Sequence, residues 1–135
     1  MDVQRTYTPE KIFAGVKEIL ADALCVDEEE VTPTARIYGD FGAEWLDIVD
    51  VTFRLEREFG IKIPRGELFP ESVLHGDPEF VQDGLVTEKG MEELRHQLTF
   101  VDLGTFEKDP HVSNIRNLFT VELICKYVEA KLGMR

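Results

Sequence analysis

The sequence predicts an all-α fold interrupted by one small β-hairpin. Three observations carry that expectation. Ile12, Phe13, Val16, Ile19, Leu20, Ala23 and Leu24 recur at helical spacing behind a capping threonine. A second periodic run, from Trp45 to Phe59, stops at a glycine. The one strand signal, Phe80 to Val86, is short and centred on Asp83-Gly84, the dipeptide of a tight hairpin turn.

The first helix has Thr8 to cap it and Pro9 to suit its first turn, and should end near Cys25 or Val26. Asp27-Glu28-Glu29-Glu30-Val31-Thr32-Pro33 then opens a long loop. The second helix begins near Trp45 and ends at Gly60, placed as a left-handed cap. Leu46, Val49 and Phe53 on one side and Val51, Leu55 and Phe59 on the next predict a wide apolar face, with Glu44, Asp47 and Asp50 crowding the acidic start. Acids there also favour the helix dipole by roughly 0.3–1 kcal/mol each, so helix stability alone explains part of the pattern. After the hairpin, Thr87 caps a helix from about Glu88 to Leu98 whose Met91, Leu94 and Leu98 share a face. Thr120 caps a last helix, in which Val121, Leu123, Ile124, Tyr127, Val128 and Leu132 are the closing residues.

At 135 residues the chain suffices for one domain with a core that needs no covalent staples. No apolar run approaches a membrane span, and the polar segment from Met1 to Tyr7 predicts no secretion signal, so a cytoplasmic location is expected. The net charge of −12 would repel a nucleic-acid backbone and attract a basic protein surface. Between Asp27 and Glu58, ten acids face only Arg36, Arg54 and Arg57, a local balance of −7. Such a face is by default merely solubilising. Cys25 and Cys125 both fall on apolar stretches of predicted helices and read as reduced core thiols. His75, His96 and His111 stand singly, so no metal site is expected.

The stretch from Gly39 to Asp47, G-D-F-G-A-E-W-L-D, followed by I-V-D-V-T-F-R-L-E-R-E-F-G-I-K-I-P up to Pro64, resembles the carrier-site region of acyl carrier proteins. That family reads D-x-G-x-[DE]-S-[LI]-[DE] and continues into an amphipathic helix ending in E-F-[DG]-x-x-I-P. The acidic turn with Val31-Thr32 upstream, and Thr120-Val121 opening a last helix that carries Tyr127-Val128, match the family too. The resemblance covers roughly residues 8–64 and 112–133. It implies an acyl-carrier-like four-helix bundle in a single domain spanning residues 1–135, with residues 65–111 as a folded insertion of a small β-hairpin plus helix. It also implies an acidic docking face, Glu44, Asp47, Asp50 and Phe53, turned to basic surfaces of acyl-chain-processing enzymes.

One element departs from the pattern. Trp45 stands where the family carries 4′-phosphopantetheine on a serine, and an indole offers only an N–H donor and no oxygen to phosphorylate. Natural loss, an engineered substitution and a motif misplaced by one residue would each produce this, although Gly42, Glu44, Leu46 and Asp47 fix the register on both sides. No serine or threonine lies between Thr34 and Thr52, Tyr38 sits on the wrong side of the turn, and Ser72 and Ser113 lack a motif. An aromatic here packs the loop against the bundle more often than it anchors a partner. Losing a capping serine should cost about 1 kcal/mol.

The resulting expectation is a non-enzymatic protein with no catalytic residues, no metal and no bound phosphopantetheine. It presents its docking helix to fatty-acid or polyketide biosynthesis enzymes without membrane insertion. The alternative is an acyl carrier protein of lipid biosynthesis, or a Ser-to-Trp variant of one, carrying acyl thioesters. An enzyme using the abundant carboxylates is disfavoured, since nothing supplies a positioned nucleophile or phosphate-binding loop.

Overall fold

The structure is a computed structural model and describes residues 7–98 and 101–133. Helix α1 spans Pro9–Leu24, with the Thr8 hydroxyl accepting from the Lys11 N–H at 3.2 Å. Helix α2 spans Trp45–Phe59 and ends at Gly60, whose φ of 64° is the left-handed cap the sequence predicts. Three short helices follow at Glu71–Leu74 (α3), Gly104–Lys108 (α5) and Val112–Arg116 (α6). Between them lie the hairpin Val81–Gln82 (β1) and Leu85–Val86 (β2), and α4 at Glu88–Gln97. The last helix, α7, spans Val121–Lys131 and is capped by Thr120.

Helix α1 packs against both α2 and α7, and the short α3 and α6 pack on each other to complete the same core. Ile12, Val16 and Leu20 from α1, Ile48, Val51 and Leu55 from α2, and Val121, Ile124 and Val128 from α7 are all buried. Burying each such aliphatic side chain contributes about 1.5–3 kcal/mol. The fold is the acyl-carrier-like helical bundle with an added hairpin and helix.

Segment 65–111 belongs to that core. Val86, Met91, Leu94 and Leu98 join one continuous apolar cluster with the bundle residues, together with Leu103 and Phe106 from around α5. The hairpin turn places Asp83 at φ 53° and Gly84 at φ 79°, the two left-handed residues that match the twist of the strands. Segment 110–112 then pairs with the hairpin: the Val86 N–H donates to the Pro110 carbonyl at 2.7 Å and the Val112 N–H to the Gly84 carbonyl at 2.9 Å. At the other end of the segment, the Tyr127 hydroxyl and the Lys131 ammonium, the latter at 2.9 Å, donate to the Glu67 carboxylate. Burial works to raise the pKa of Glu67, but these two donors outweigh it and hold the carboxyl below the usual range.

The structure corrects four expectations. The wide apolar face of α2 is in fact two separate lines. Ile48, Val51, Leu55 and Phe59 are buried, whereas Leu46 is 81% and Phe53 64% exposed. Cys25 is not a core thiol, because α1 ends one residue before it; it occupies the cap at φ 57° and is exposed. Cys125 is buried as expected, and burial pushes its thiol up to about 12. Position 45 is the first residue of α2 and Glu44 is its cap, so a side chain at 45 loses no capping bond. The short α3, α5 and α6 carry too few residues for a periodic pattern and were not anticipated.

Gly90 marks where α4 meets the hairpin. A Cβ there would lie 2.4 Å from the Phe80 carbonyl oxygen and 2.7 Å from Val86 Cγ1. Gly90→Ala should therefore destabilise the protein by about 1–3 kcal/mol, although alanine is the better helix former. Urea unfolding measures this, and an unchanged midpoint would mean that the hairpin backbone withdraws freely from α4.

Candidate functional site

The start of α2 is set by the loop before it. The Ile37 N–H donates to the Phe119 carbonyl at 2.9 Å, the Val121 N–H to Ala35 at 3.0 Å and the Glu122 N–H to Pro33 at 2.9 Å. The loop is thus laid against the entry to α7 like a short strand. It then turns back on itself, with the Arg36 N–H donating to the Asp40 carboxylate at 2.8 Å and the Gly42 N–H to the Tyr38 carbonyl at 3.0 Å. From this turn the chain enters α2, where the Asp47 carboxylate accepts the Glu44 backbone N–H at 2.9 Å, the returning half of a capping box.

Glu44, Asp47 and Asp50 stand three residues apart and share one side of the helix start. They are not equivalent. Asp47 is half-buried and engaged in the cap, while Asp50 accepts from Arg54 at 3.0 Å. Arg54 also bridges to Asp22 on α1. Glu44 is exposed. Phe53 lies two turns from Leu46 on the same line, so the outward strip between the acids carries two large apolar groups in water. Leu46 was missing from the sequence-derived docking set. Its position, seven residues before Phe53 and off the Ile48, Val51, Leu55 line, was the signal that could have found it.

Trp45 is half-buried. Its ring meets His75 edge-on, with centroids 4.4 Å apart and planes at 80°, so it packs against the residue that follows α3. Two depressions flank it. On one side runs a groove of about 460 Å³ between α2 and the segment after Pro64, lined by Ile48, Val49, Thr52, Phe53, Leu68 and Phe69. On the other is a polar pocket of about 440 Å³ whose walls include Tyr38, His75, Ser113 and Arg116. His75 and Arg116 could not have been assigned to this neighbourhood from sequence, since each lies at least thirty positions from Trp45.

Among the described residues no group of histidine, cysteine and carboxylate side chains could hold a metal, and no helix is long and apolar enough to cross a membrane.

The family model described as "Phosphopantetheine attachment site" matches residues 14–73, which contain most of α1, the loop, α2 and most of α3. The acyl carrier protein of Thermotoga maritima is 44% identical over 59 residues, covering 44% of this chain and 73% of that protein. The acyl carrier protein of Petrotoga mobilis is 46% identical over 61 residues, covering 45% of this chain and 72% of that protein. With the bundle geometry and the acidic entry to α2, these similarities establish that the chain belongs to the acyl carrier protein family.

Proposed function

We propose that this chain is a carrier-family docking protein that presents the acidic start of α2 to acyl-chain-processing enzymes and bears no phosphopantetheine of its own. The observation that carries the reading is Trp45 at the first position of α2, where the family motif calls for serine. The surrounding loop, cap and acids keep the form of a carrier site. The residues present do not fit covalent attachment, since attachment needs a hydroxyl at this helix start and the indole has none. The groove beside Trp45 could still accommodate an apolar chain presented by a partner. Residues 1–135 then act as one cytoplasmic domain, in which the segment from 65 to 111 is a folded cap that selects partners. The second reading, an acyl carrier protein of lipid biosynthesis of which this is a Ser-to-Trp form, is favoured by the same intact frame.

Treatment with coenzyme A and a broad-specificity phosphopantetheinyl transferase should leave the intact mass unchanged, whereas Trp45→Ser should gain one phosphopantetheine group. A mass increase in the unsubstituted chain would overturn the first reading. A folded Trp45→Ser protein that stays unmodified would show that the docking frame itself has been lost.

Docking is tested separately, with substitutions that spare the helix. Asp47→Asn and Asp50→Asn each keep one acceptor oxygen, exchange the other for an amide NH2 of the same size, and remove the charge. Leu46→Ala and Phe53→Ala change exposed side chains and should shift stability by no more than about 0.5 kcal/mol. Both pairs should weaken binding to the transferase, measured calorimetrically. The wild-type affinity should fall between about 50 mM and about 300 mM salt as exposed charges are screened. Glu28→Gln with Glu29→Gln, in the upstream turn, should have little effect; equal loss there would mean diffuse charge attraction and no defined face.

A further inference from the structure

The hairpin turn carries a reactive pair that the rest of the chain does not repeat. Asp83 is the one aspartate followed by glycine. Its carboxylate also differs in its surroundings. Backbone N–H groups donate to the carboxylates of Asp40, Asp47, Asp77 and Asp102, and Arg54 bridges those of Asp22 and Asp50. Asp83 is exposed and its carboxylate has no hydrogen bond or ion pair among the described residues. The Gly84 N–H likewise donates to no group among them. Asp83 holds φ 53°, a left-handed conformation that suits glycine better than a residue with a Cβ. The strands on either side are two residues each, so little of the turn's stability is its own.

We propose that Asp83 is a site of spontaneous conversion to isoaspartate, and that the conversion detaches the hairpin from the start of α6. When the turn opens, the Gly84 nitrogen attacks Cγ of the protonated Asp83 carboxyl. The hydrogen on nitrogen and the carboxyl hydroxyl leave as water, closing a succinimide ring, and glycine at 84 brings no Cβ to crowd the attacking atom. Water then adds back. Opening at Cγ restores aspartate, whereas opening at the α-carbonyl leaves a main chain that runs through Cβ and Cγ and a free α-carboxylate. Mass is unchanged, and no oxidant, reductant or cofactor takes part. The product has one more carbon in the main chain of a tight turn. That turn holds a neighbour: the Gly84 carbonyl accepts the Val112 N–H at 2.9 Å, the Val86 N–H donates to the Pro110 carbonyl at 2.7 Å, and Leu85 bridges to His111. The added carbon moves the Gly84 carbonyl off Val112, the first residue of α6, and disturbs the register behind it. The site requires no carrier chemistry and is independent of whether α2 docks an enzyme.

The full chain is kept at neutral pH in ¹⁸O-labelled water for several weeks, in one sample folded and in another unfolded in urea, and is then digested in ordinary water. Each aspartate that passes through the ring takes up ¹⁸O, and electron-transfer fragments separate isoaspartate from aspartate. In the folded sample isoaspartate should accumulate at position 83 and at no other aspartate. Asp83→Glu, which keeps the charge but would have to close a larger ring, should stay unconverted. Hydrogen exchange on the aged folded chain should show the Val86 and Val112 amides losing protection while those of α1 and α2 keep theirs. Conversion in urea but not in the folded chain would overturn the proposal, because the folded turn would then be closed to the reaction. So would no conversion in either sample, equal conversion at other aspartates, equal ¹⁸O uptake at position 83 in Asp83→Glu, or a converted chain whose Val112 amide stays protected.

Discussion

The antiparallel contact between residues 33–37 and residues 119–122 is the constraint on which the carrier-like end of the molecule depends. Helix α1 ends at Leu24 and α2 cannot begin until Trp45, leaving a connection longer than compact bundles usually tolerate without order of its own. Backbone bonds from Ile37, Val121 and Glu122 supply that order by treating the loop as a strand against the entry to α7. Arg36 pairs with Thr120, which also caps α7, so one short segment both starts the last helix and positions the turn that launches α2. The Asp40 and Gly42 bonds then fix the direction in which Trp45 and Glu44 leave the turn. The acids, Leu46 and Phe53 gain their places from a contact with residues more than sixty positions away.

Helix α2 divides its side chains between two tasks. The line Ile48, Val51, Leu55 and Phe59 supplies burial, and it is strong enough to leave Leu46 and Phe53 in water. These two exposed apolar residues lie on one line, bordered by the acids at the start of the helix. The acids are also tied into the helix: Asp47 accepts the Glu44 N–H, and Asp50 draws Arg54 toward itself and Asp22. Local helix stability and presentation of charge are therefore set by the same atoms. Charge reversal here would confuse the two effects.

Much of this was legible in the sequence where the physics is local. Thr8, Thr87 and Thr120 each accept from the backbone N–H three residues on, and Asp83-Gly84 makes the turn its dipeptide specifies. The two long helices followed from periodicity alone. The failures lie where longer-range geometry decides. Cys25 reads as one more apolar position, yet it is the residue on which α1 unwinds. The three short helices have too few turns to show a period. Trp45 could be placed at the helix start from the motif, but its contact with His75, across a loop and a groove, required the folded chain. The pocket containing Tyr38 and Arg116 was invisible for the same reason, since its residues come from the loop, α2, the end of α3 and α6.

The contrast between the two cysteines has a chemical consequence. Cys25 holds a left-handed backbone conformation without being glycine and carries its thiol into solvent, whereas Cys125 is enclosed and its thiol is pushed up to about 12. Disulfide exchange runs through the thiolate and needs access, so at neutral pH only Cys25 is available to it. With the other thiol enclosed, oxidation at Cys25 is directed outward, to small thiols or to a second molecule. The thiol open to exchange therefore stands at the far end of α1 from its Thr8 cap.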